Sequence, residues 1–80
     1  MTYTIKEDSA GLWCVWCGAT RLAEGITLER AIREAGKLAR DHHERSDVPV
    51  TAVELEIAGT PSLLARYAQP LHGGSESAAA

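Results

Sequence analysis

The run Cys14-Val15-Trp16-Cys17-Gly18 sets two thiols at CxxC spacing in front of a glycine. Two thiolates are half of a closed tetrahedral zinc site, and the other two ligands must come from elsewhere in the chain. His42, His43 and His72 are the histidines available, so Cys14, Cys17 and His42 form the metal alternative. The geometry of regular elements works against it. Adjacent histidines on a helix diverge by about 100°, and residues 14 and 17 of an extended strand point to opposite faces. A redox pair wants its first cysteine at a helix N-terminus, where the thiolate is stabilised, whereas this motif lies inside a strand pattern. The expectation is two small, buried, apolar cysteines, with no metal and no cofactor.

His42 falls on the apolar stripe of a helical segment and His43 at its border. Neither has a nucleophile close by in the sequence. Glu54 and Glu56 share one face of a strand, and paired carboxylates can do acid–base work. A solvated polar face is the simpler reading of them. Arg30, Arg33, Lys37 and Arg40 are interleaved with acids in the manner of an exposed helix face. The sequence holds no Gly-rich phosphate loop, nucleophile elbow or HExxH. These residues predict no catalysis.

Eighty residues, 45% hydrophobic and 24% charged, make one domain, taken as residues 1–72. Eight Lys/Arg against eleven Asp/Glu give a net charge of −3 and a pI near 5.5. Duplex DNA binding is not expected, because neutralising phosphates needs a cationic surplus. No apolar run reaches the roughly 18 residues of a membrane span. The opening Met-Thr-Tyr-Thr-Ile-Lys lacks the basic and apolar regions of a signal peptide, which predicts a cytoplasmic protein.

The elements that position these groups follow from periodicity. Tyr3 to Glu7 alternates apolar and polar, Asp8 to Gly11 is a turn cluster, and Leu12 to Cys17 is a second strand. The pair predicts an antiparallel hairpin, its second strand continuing toward Leu22. Thr27 can cap a helix whose apolar positions Leu28, Ala31, Ile32, Ala35, Leu38 and Ala39 keep helical spacing. The helix should run from about Leu28 to Arg45 and stop before Pro49. In the next strand, Thr51, Val53, Leu55 and Ile57 point one way and Ala52, Glu54 and Glu56 the other. Thr60-Pro61 reads as an N-cap and first helical residue of a short helix to about Ala68, with a strand over Leu63 to Tyr67 as the rival. Residues 73–80 should form a disordered tail. The expected class is α+β: ββαβ plus a short C-terminal helix or strand, with the third strand parallel to the first.

One strand is apolar on both faces. Trp13, Val15 and Cys17 share one side, and Leu12, Cys14 and Trp16 the other. A helix covers only one side of a sheet, so something must cover the second. The Thr60 to Leu71 segment folding back is the first expectation. A partner surface is the second, since an apolar patch containing Trp marks an interaction site. A homodimer through that patch is the third.

The Tyr-Thr-containing first strand, the turn at Asp8 to Gly11, the Trp-bearing second strand and Gly25-Ile26-Thr27-Leu28-Glu29-Arg30-Ala31 together resemble the HicB-type antitoxin domain. The resemblance spans residues 3–38. It implies a partial RNase H-like ββαβ layout and a role in binding a partner protein. The size, acidity and hairpin–helix–strand order are also similar to those of small phage-encoded inhibitors, including anti-CRISPR proteins. The expected function is therefore a non-catalytic inhibitor or modulator that occludes a protein or ribonucleoprotein partner. Trp13, Trp16, Glu54 and Glu56 are the candidate contacts. An antitoxin-like module sequestering a toxin and a zinc-knuckle binding domain are the alternatives.

Overall fold

Asp8 closes the first hairpin. Its Oδ1 accepts hydrogen bonds from the backbone N–H of Ala10 at 2.8 Å and of Leu12 at 3.0 Å, and Gly11 takes the left-handed conformation at φ +83°. In the computed structural model, which describes residues 1–68, this turn pairs β1 (Thr2–Glu7) antiparallel with β2 (Trp13–Cys17). Glu7 stands opposite Trp13 and Tyr3 opposite Cys17.

The second strand does not continue toward Leu22. Gly18 turns the chain at φ +62°, and Cys17 pairs with Thr20 across a two-residue loop. Glycine at the first central position is what a type II′ hairpin requires. The chain returns as β3 (Thr20–Ile26), antiparallel to β2 and bulged on both sides of Val15.

Helix α1 spans Leu28–Arg45, with Thr27 as N-cap: its Oγ1 accepts a hydrogen bond from the Arg30 N–H at 3.2 Å. The expected boundaries and cap hold. The chain then enters β4 (Val50–Ile57), which lies parallel to β1, Tyr3 beside Val53 and Ile5 beside Leu55. This is the expected parallel pairing.

The short C-terminal helix is overturned. Ala58 at φ 53° and Gly59 at φ 82° both sit in the left-handed region, the signature of a type I′ two-residue turn. Thr60 is thereby placed opposite Ile57 in the ladder, so the chain is already extended where a helix would have to begin. It continues as β5 (Thr60–Ala68), longer than the rival strand reading, with Pro61 tolerated at the start of an edge strand.

The sheet order is β3-β2-β1-β4-β5, with β1–β4 its parallel pair. The described residues form an α+β domain of one helix on a five-stranded mixed sheet. The chain order is βββαββ rather than ββαβ plus one element. The predicted boundary at residue 72 and the tail over 73–80 lie outside the described residues. None of the described helices is long and apolar enough to cross a membrane.

The core sits between α1 and one sheet face. Tyr3, Ile5, Val15 and Val53 meet Ala31, Ala35 and Ala39, which recur every fourth residue on α1. Alanine presents only a methyl, so the helix backbone can approach the sheet closely. Buried Thr51 shares a hydrogen bond with His43 Nδ1 at 3.3 Å. Ile57, on the same side of β4 as Val53, is 57% exposed at the end of its strand.

Candidate functional site

Cross-strand partners in a sheet share a face, and alternate residues lie on opposite faces. The register therefore defines the surface turned away from α1. One lateral row reads Arg21, Trp16, Thr4, Glu54, Leu63 from β3 to β5. The next reads Cys14, Lys6, Glu56, Pro61, and a third reads Thr2, Ala52, Arg66. We call this the outer face. Among the described residues every element other than α1 is a strand of the sheet, so no described element lies over it. The Thr60–Ala68 part of the expected cover is instead the edge strand β5.

Trp16 stands on the β2 side of this face. The Lys6 Nζ lies 5.7 Å from its ring centroid and the Arg21 guanidinium carbon 5.5 Å. A cation at that distance is drawn to the negative ring face, an attraction of about 0.5–1 kcal/mol where the pair is exposed. Arg21 also makes an exposed ion pair with Glu24, Nε to Oε1 at 3.0 Å. Two strands over, Glu54 and Glu56 project from β4 on the same face, both half-buried. The face thus runs from a cation-flanked aromatic on one side to a pair of carboxylates on the other.

Trp13 is not part of it. Facing α1, it packs partly buried against the core, so the four candidate contacts divide three to one. Period-two alternation already separated Trp13 from Trp16. Lys6, Arg21 and Leu63 join the site only through the register between strands, which no single strand's pattern reveals.

The metal alternative is not assembled. Cys14 lies on the outer face, 5% exposed, while Cys17 lies on the helix side with its Sγ 3.1 Å from the Met1 Sδ. His42 is also on the helix side, edge to face with Tyr3 at 6.1 Å between ring centroids. The sheet separates Cys14 from Cys17 and His42. Among the described residues no cluster of three or more His, Cys, Asp or Glu side chains is placed to hold a metal ion.

His42 also lines an open groove of about 350 Å³ with Tyr3, Leu38, Asp41, Arg45 and Ser46. Burial raises the Tyr3 phenol above its ordinary value of 10.0, and the neighbouring Cys17 adds to the shift. That groove is on the helix side, so its imidazole cannot act in concert with Glu54 and Glu56. What the outer face offers chemically is recognition: an aromatic surface, two cations and two carboxylates on one sheet face. Compared with protein-family models, with curated proteins and with solved structures, the chain matches none.

Proposed function

We propose that this protein is a non-catalytic binding module whose outer sheet face docks on a macromolecular partner and occludes it. The observation that carries the reading is the Lys6–Trp16–Arg21 stack, held beside Glu54 and Glu56 on a face without a described cover. Trp and Arg are enriched where interfaces concentrate their binding energy, and a rigid sheet presents them at little entropic cost. The carboxylates favour a protein partner with basic residues, such as those lining a nucleic-acid groove, and bias encounter toward it. Inhibition of the kind exerted by phage-encoded anti-CRISPR proteins fits this chemistry. A second reading, an antitoxin-like module, has the Gly25 to Ala31 run behind it and differs in the partner, a small toxin.

The test is capture of the tagged full chain with its partner from the host, followed by titration of the identified partner. Trp16→Ala should weaken binding about thirtyfold or more, as expected for loss of a residue worth about 2 kcal/mol or more. Glu56→Arg should weaken it and reverse its salt dependence, while Arg33→Glu on α1 should change little. Wild-type affinity in both outer-face variants rejects the assignment. Rescue of growth on co-expression with a toxin encoded beside it selects the antitoxin reading.

A further inference from the structure

The two edges of the sheet are built differently. β3 is bulged twice and carries the Arg21–Glu24 ion pair, features that keep an edge strand from pairing with another chain. The opposite edge, β5, runs nine residues, Thr-Pro-Ser-Leu-Leu-Ala-Arg-Tyr-Ala, with one bulge at Leu64, Pro61 near its start and Arg66 as its sole charge. Leu63 is 59% exposed and Leu64 43%. A long edge strand of this composition is a template for adding a further strand.

Its faces restrict the register in which a further strand can add. Leu63 pairs with Glu54, Arg66 with Ala52, Pro61 with Glu56 and Ala68 with Val50, so these four β5 residues lie on the outer face. Ser62 pairs with Leu55 and Tyr67 with Thr51, which puts both on the helix side. The register shift between Val53 and Glu54 leaves Leu64 as an extra residue, and this is why Leu63 and Arg66, three apart, share a face. Two copies of β5 can run antiparallel about a two-fold axis, residue i facing j and j facing i. With Leu63 opposite Arg66 of the second copy, Ser62 meets Tyr67 and Pro61 meets Ala68, and each of these pairs shares a face. Slipping by one residue either way mixes the faces of the same pairs.

Charge complementarity is available in the Leu63–Arg66 register. Within one copy, Arg66 stands in a row with Ala52 and Thr2 and has no acid abreast of it. In the pair, Leu63 has Glu54 on one side and Arg66 of the second copy on the other. Those two charged residues are two strand spacings apart, about 10 Å between backbones, within the combined reach of Glu and Arg side chains across Leu63. The two-fold axis makes the contact twice.

We infer that β5 pairs with β5 of a second copy in this register, giving a continuous ten-stranded sheet with both outer faces on one side. The inference uses the edge of the sheet and stands apart from the identity of any other partner. Sedimentation velocity of the full chain over a wide concentration range tests it. The expected result is a reversible monomer–dimer equilibrium that Arg66→Glu weakens at least about tenfold, because like charges are then brought together. The double reversal Glu54→Arg with Arg66→Glu should restore it. Leu63→Lys gives a second disruption at an exposed position, and circular dichroism checks that each variant stays folded. A monomer at all concentrations overturns the inference, as does a dimer indifferent to both Arg66→Glu and Leu63→Lys. So does a dimer lost with Trp16→Ala instead, or a charge reversal that the double variant does not rescue.

Discussion

The Trp16 indole and the Tyr3 phenol sit on opposite faces of the same strand pair and are held by opposite means. Trp16 is flanked by cations and turned outward, while Tyr3 is buried against α1. Burial favours the neutral phenol, so its pKa in the folded chain lies above the unfolded value near 10. The stability tied to that shift is fully present below the unfolded pKa and is lost as pH rises through the folded one. Urea midpoints should therefore fall above about pH 10, and Tyr3→Phe should flatten that fall while leaving the neutral-pH curve nearly unchanged. An equally steep alkaline loss in Tyr3→Phe contradicts the assignment. At this scale the sequence was informative where alternation alone decides. Cys14 and Cys17 on opposite faces, and Glu54 with Glu56 on one, follow from period two. The cations around Trp16 did not, because Arg21 reaches the ring from a strand whose bulged register depends on tertiary pairing.

Among the elements, those misread are the ones bounded by two-residue turns with incomplete sequence signals. Gly18-Ala19 is a Gly-X loop and marks a type II′ hairpin between Cys17 and Thr20, a signal present in the chain but hidden inside a continuous apolar run. Ala58-Gly59 lacks the Asn or Asp expected at the first left-handed position, and the following Thr60-Pro61 imitates the start of a helix. Ala58 at φ 53° holds a conformation that costs an alanine about 1 kcal/mol. Ala58→Asn should stabilise the fold by up to about 1 kcal/mol, seen as a higher urea midpoint with an unchanged slope. No gain would show that the turn is not strained. The helix was legible throughout, since its cap, stripe and stop are local. Its alanine contact makes a further prediction. Enlarging fully buried Ala35 to Leu should cost about 1–3 kcal/mol, because α1 cannot move away without opening the core. A neutral effect in chemical denaturation would mean that the helix is loosely seated.

For the molecule as a whole, the described residues form one helix over a five-stranded sheet, and among them the outer face and the β5 edge are left open to other molecules. The strand register brings Glu54 and Glu56 onto the same face as the Trp16 stack. A domain of this size buries only about 60–65% of the surface its unfolded chain exposes, so a bound partner adds directly to its stability. The outer-face account makes the two tryptophans internal references for each other. Hydroxyl-radical footprinting of the captured complex measures this most directly. It predicts that Trp16 loses reactivity on partner binding while Trp13, packed beneath α1, keeps the reactivity it has in the free protein. Protection of the α1 solvent face around Arg33 and Lys37, with Trp16 as reactive as before, contradicts it.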